Sequence, residues 1–119
     1  MITEKEYFKR VAIDAAQRVW GIGLNDLRNR SDEELVLMRQ IVVSNLSDQI
    51  DNRMISEIID RSESTVETDI LNHGDMIEES NWINDGWSGY KENADEYIIA
   101  FEKIEDEMHM DAQYNNHVY

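Results

Sequence analysis

The chain has 119 residues and a formal net charge of −15, with no cysteine and no proline. That length suits one domain, or one domain with an appended helix, and folding at this size buries roughly two-thirds of the unfolded surface. The composition excludes disulfides and thiolate metal sites and fits a reducing cytosol; it permits long helices; and no apolar run approaches the roughly 20 residues that cross a bilayer.

The first helix opens at Thr3, which with Glu6 fits a capping box. Phe8, Val11, Ala12, Ala15, Ala16 and Val19 then fall on one helical face, and Gly21 and Gly23 end it. Glu4, Glu6 and Asp14 make residues 1–20 unlike a signal peptide. In the connection over residues 21–30, Leu24 and Leu27 are expected to plug into the core as one helical turn. The second helix opens with Ser31 and Glu34, another capping box, and Asp32, Glu33 and Glu34 suit its positive end. Leu35, Met38, Ile41, Val42 and Leu46 form its buried stripe, and Ile50 points inward from the polar segment that follows.

A short helix over residues 53–59 turns Ile55, Ile58 and Ile59 inward. Asp60 and Arg61 make a tight turn, although the glycine frequent in such turns is missing. Ser62 caps the next helix, which carries Val66, Ile70 and Leu71 inward and stops near Gly74, with residues 75–80 compatible with a continuation. Helix, tight turn, helix is the arrangement whose second helix enters a DNA major groove. Residues 81–89 read as a loop carrying Trp82 and Trp87, each either folded back as a plug or offered to a partner. In the last helix Tyr90, Ala94, Tyr97, Phe101, Ile104 and Met108 are spaced 4-3-4-3-4, a heptad seam that packs on the chain's own core or joins two copies. The expected fold is therefore all-α, with a helix-turn-helix bundle over residues 1–80 and, over 81–119, the tryptophan loop and an acidic C-terminal helix.

Four segments carry a family resemblance. Trp20-Gly21-Ile22 with Asp26-Leu27, then Arg39-Gln40-Ile41, then Ser56-Glu57-Ile58-Ile59, then Arg61-Ser62-Glu63-Ser64-Thr65-Val66 follow in order at compatible spacing. Over residues 11–79 the chain resembles the C-terminal, DNA-binding domain of the bacterial replication initiator DnaA, a Trp-repressor-like helix-turn-helix fold. The resemblance implies double-stranded DNA as partner. It places recognition on Arg61, Glu63, Ser64, Thr65 and Thr68, with backbone support from Arg28, Arg30 and Arg53. Arg39 lies close by with a structural role open to it.

The departures point elsewhere. Ser62 and Glu63 stand where the family signature has Asp and His. Asp32-Glu33-Glu34 stand where it has basic residues, and the recognition helix continues with Glu67 and Asp69 and lacks a closing cation. Charge is also uneven: residues 1–60 hold eight Lys/Arg against eleven Asp/Glu, and residues 61–119 three against fifteen. Neutralising phosphates supplies most non-specific DNA affinity, so the C-terminal half would be repelled. Two functions follow. One is a DNA-binding regulator or replication accessory, with the C-terminal helix pairing two copies on two half-sites. The other is an acidic interaction protein whose partner is a basic, nucleic-acid-binding protein: a phage-type inhibitor, a nucleic-acid mimic or a virion assembly component. In it Trp82, Trp87, Glu105, Asp106 and Glu107 carry the contact.

Other chemistry is not expected. His73, His109 and His117 form no spaced metal motif, and His73 suits a C-terminal cap. Residues 108–111 (Met-His-Met-Asp) point apart on a helix. No carboxylate sits in an apolar setting that would tune it as acid or base. The sequence thus predicts a non-enzymatic protein without cofactor, metal or membrane segment, in the cytoplasm (the host's, if phage-encoded).

Overall fold

A computed structural model describes residues 2–29, 31–80 and 89–117, the side chains of 80 and 110–117 excepted. The described residues form six helices and no strand: α1 Glu4–Trp20, α2 Leu24–Leu27, α3 Glu33–Ser47, α4 Asn52–Ile59, α5 Glu63–Ser80 and α6 Tyr90–His117.

Local chemistry sets most helix ends. Thr3 Oγ1 accepts from Glu6 N–H at 3.1 Å, and Gly21 closes α1 in the left-handed region at φ +70°, its N–H on the carbonyl of Gln17. Residues without a Cβ enter that region at no steric cost. Leu27, on the one-turn α2, is buried as expected, and Asp26 reaches back to the Gly23 N–H at 3.0 Å. α3 departs from the expected start by one residue. Asp32, not Ser31, caps it, accepting from Leu35 N–H at 3.1 Å. Asn29 Oδ1 instead holds the Ser31 and Asp32 N–H groups, both at 2.9 Å, so the chain is still turning at Ser31.

The turn between α4 and α5 resolves the missing glycine. Asp60 itself takes the left-handed conformation, φ 55°, which Asp and Asn tolerate better than other side chains. The N–H groups of Asp60 and Arg61 then both reach the carbonyl of Ser56. Ser62 Oγ accepts from Thr65 N–H at 3.1 Å and starts α5. α5 does not stop near Gly74 but runs on to Ser80. Glycine costs a helix interior about 1 kcal/mol, and beyond it Met76 and Ile77 pack against the core, which outweighs that cost.

α3 is the centre of the molecule and touches all five other helices. Arg39, Gln40, Ile41, Val42 and Val43 are all buried; at 100° per residue, five consecutive positions cover the whole circumference of a helix. The amphipathic stripe expected of it was too narrow.

α6 packs chiefly along α1. α1 offers a small-residue face, Val11, Ala12, Ala15 and Ala16, and α6 fills it with Tyr97 and Phe101. The Tyr97 hydroxyl donates to the carbonyl of Ala12 at 3.0 Å. The Trp20 ring stacks on Tyr97 with centroids 5.3 Å apart, and its Nε1–H donates to Asn93 Oδ1 at 2.8 Å. The heptad seam is therefore spent inside the chain. Tyr90, Ala94, Tyr97, Phe101 and Ile104 are buried in the common core and Met108 packs against it.

One ion pair lies inside this core. Arg39 Nε and Nη2 donate to the two oxygens of Asp69 at 2.8 and 3.0 Å, and the two side chains are 6% and 2% exposed. Arg39 Nη1 also reaches the carbonyl of Asn29 at 3.4 Å. Removing one member of such a pair leaves a buried charge uncompensated. Asp69→Ala is expected to cost about 3–5 kcal/mol in urea unfolding. Tyr97→Phe, which loses one neutral hydrogen bond, is expected to cost about 1 kcal/mol.

Candidate functional site

The candidate site is the outer surface of α4, its turn and α5. Arg61, Ser62 and Thr65 come together with Asp60 around an open recess at the turn. The Ser62 and Thr65 hydroxyls lie 3.0 Å apart, bonded to each other. Ser64 and Thr68 are exposed on the next turns, but the Thr68 hydroxyl donates to the Ser64 carbonyl at 3.0 Å. Glu63 and Glu67 also face solvent.

The supporting arginines are dispersed. The Arg53 side chain, on α4, is 81% exposed and stands 3.9 Å from Glu57, which Lys5 also approaches, at 3.7 Å. Arg28 follows α2, half-buried, with its Nε enclosed. Arg30, Trp82 and Trp87 lie outside the described residues. Asp69 needs a correction: it does not add negative charge to the recognition surface, because it points inward onto Arg39. Leu71 needs the opposite one, since it is not inward but 70% exposed.

The outward line of α5 is thus Ser64, Thr68, Leu71, Asp75 and Glu78, all exposed, at the 4-3-4-3 spacing that keeps side chains on one helical face. The helix holds six carboxylates and no lysine or arginine. A duplex laid against this line would meet Glu67, Asp75 and Glu78 and a leucine, with no cation from the helix itself.

The acidic trio of α6 also divides. Glu105 is half-buried and accepts from the Tyr7 hydroxyl of α1 at 3.1 Å. Burial, and then that carboxylate, push the Tyr7 hydroxyl up to about 12. Glu107 takes two hydrogen bonds from Arg18 of α1, the shorter 2.8 Å, and the Arg18 hydrogen bond holds its carboxyl below the ordinary range. Both acids fasten α6 to α1; Asp106 faces solvent, and its charge adds to the upward push on the Tyr7 hydroxyl.

A polar cluster that no sequence motif announced sits behind the site. The Nδ1 of His73, on α5, lies 2.7 Å from the Tyr90 hydroxyl of α6. His73 is therefore mid-helix and ties two helices together, not a C-terminal cap. Burial pushes its imidazole below the ordinary histidine range, partly countered by Asp48 at the end of α3. Burial, and then Asp69, push the Tyr90 hydroxyl up. Arg39, Asp69, Tyr90 and His73 thus join α3, α5 and α6. Spacings of 30 and 17 residues leave no local pattern to read.

Among the described residues no cluster of three or more His, Asp or Glu is arranged to hold a metal. No helix of the described residues is long and apolar enough to cross a membrane.

Because the folded His73 binds its proton more weakly than the unfolded one, its contribution to stability is present above about pH 6.5 and is lost as pH falls through its folded value. Unfolding midpoints at pH 7.5 and 5.5 are expected to show that loss, and His73→Gln is expected to flatten it. Equal slopes for both proteins would remove His73 from the cause.

Compared with known proteins, the chain matches no family model, no curated protein and no solved structure, so what the site does has to come from its own residues.

Proposed function

We propose that the chain is a non-enzymatic, acidic interaction module on a scaffold like the helix-turn-helix domain of DnaA, and that its partner is a basic protein surface of the kind that otherwise holds nucleic acid. The observation that carries this reading is the outward line of α5: acids, two hydroxyls and an exposed leucine where a DNA reader needs cations. Affinity for DNA comes largely from neutralised phosphates. An exposed apolar residue ringed by acids suits a protein contact, steered by charge and weakened by salt.

The pattern of match and mismatch supports it. Matching positions such as Leu27, Arg39, Ile41, Ile58, Ile59 and Val66 are buried and build the scaffold. The departures at Ser62, Glu63, Glu67 and residues 32–34 are exposed, where contacts to a partner form, while Asp69 is taken up by Arg39 inside the core. Such a module acts by occupying its partner's groove, as an inhibitor or charge mimic does.

A second reading, a DNA-binding regulator, is favoured by the recess that gathers Arg61, Ser62 and Thr65, since an arginine and two hydroxyls suit a phosphate or a guanine.

Binding to a random duplex library at about 50 and 200 mM salt separates the two. The acidic module is expected to retain no duplex, and Glu67→Lys with Asp75→Lys is expected to create salt-sensitive retention on the same scaffold. A motif enriched by the natural chain and lost in Arg61→Ala with Thr65→Ala would establish the regulator instead.

A further inference from the structure

α6 carries a second line of residues on the side away from the core. Glu92, Asp95, Ile99, Glu102 and Asp106 are all exposed, and their 3-4-3-4 spacing is a heptad frame roughly opposite the buried one. Ile99 stands in its middle and is 65% exposed. Asp95 and Glu102 lie one turn before and after it, and Lys91 and Lys103 sit off the line.

We infer that this line docks a basic amphipathic helix of a partner protein, with Ile99 against an apolar residue of that helix and the four carboxylates against lysines or arginines one and two turns either side. The inference rests on the proposed function for the basic character of the partner, but uses a face distinct from α5. Shape and charge both select the occupant. A straight line of about 21 Å on a regular helix, fourteen steps of 1.5 Å from Glu92 to Asp106, is what a second helix follows. A second copy is excluded, because pairing the line with itself sets four carboxylates against four, and like charges in register are repulsive. A nucleic acid or an anionic lipid surface is repelled for the same reason. A helix with one apolar residue per heptad between cations meets both the charge and the isoleucine.

The test uses two synthetic peptides of about 15 residues and identical composition, one with lysines flanking a leucine at heptad spacing and one scrambled; the length matches the line. Binding is followed by fluorescence anisotropy for the full chain and for three variants whose helicity is checked by circular dichroism. The patterned peptide is expected to bind at least about tenfold more tightly than the scrambled one. Ile99→Ser is expected to cost about tenfold, and Glu102→Lys with Asp106→Lys to abolish binding, while Asp14→Lys, an exposed charge reversal on α1, changes little. Equal binding of the two peptides, or unchanged binding by the α6 variants, would overturn the inference. Binding of the patterned peptide kept in full by both α6 variants would overturn it while leaving the acidic module standing. Enrichment of a duplex motif by the natural chain, with neither peptide bound, would remove both. Self-association in sedimentation that disappears with Glu102→Lys and Asp106→Lys would assign the line to a second copy and overturn the basic helix.

Discussion

The placement of α5 depends on the buried pair of Arg39 and Asp69. A guanidinium and a carboxylate enclosed together are stable only when every strong donor and acceptor is met. Two parallel bonds to Asp69 and a third contact to the Asn29 carbonyl do this. The pair fixes the rotation of α5 about its own axis: once Asp69 points inward, Ser64, Thr68, Leu71, Asp75 and Glu78 must point out. It also anchors the α2–α3 connection. Such a pair contributes more to register than to net stability, since an apolar pair of the same volume is often as stable. The surface α5 offers is thus decided by a contact inside the molecule.

The second constraint is the joint of α1 and α6. Alanines on one helix and aromatic rings on the other allow close approach, in which large side chains fill the space small ones leave. Tyr97 buries its ring and directs its hydroxyl to the Ala12 carbonyl; burial alone pushes that hydroxyl's pKa up. Around this apolar centre Tyr7–Glu105, Arg18–Glu107 and Trp20–Asn93 close the edges. Of these edge contacts only Arg18–Glu107 is exposed, and an exposed pair of that kind sets alignment more than stability. Their effect on function is indirect, since they commit two acids of α6 inward and leave its opposite line to solvent.

What α5 and α6 leave outside is mostly acidic, with Lys91 and Lys103 as the exposed cations of α6. Apart from Arg61 at the recess of the turn, the basic residues near α4 and α5 are dispersed or engaged: Arg39 is buried, Arg53 lies beside Glu57, and Arg28 is half enclosed. The carboxylates of α5 and α6, by contrast, gather on outward lines with one exposed aliphatic residue in each, Leu71 and Ile99. Like charges spread over a surface favour solubility and repel polyanions, and paired with an apolar anchor they suit a basic protein surface.

The sequence by itself determined the helices, their order and most of their ends, because caps and apolar periodicity are local. Thr3, Gly21 and Ser62 act within one turn of their own positions, and the seam from Tyr90 to Met108 is visible as spacing. It also determined the net charge and the family-like order of motifs. Only the tertiary structure decided where that seam goes, because a heptad line is equally satisfied by α1 or by another copy. It decided that Asp69 is a core residue and Leu71 a surface one, since the rotation of α5 depends on Arg39, 30 residues away in the chain. It carried α5 past Gly74, because packing at Met76 and Ile77 exceeds a local propensity of about 1 kcal/mol, and it gave Asp60 a conformation that the sequence marks only by the absence of glycine. The candidate site was legible as a list of residues. Which of them share a surface was not, because facing is set by contacts distant in sequence.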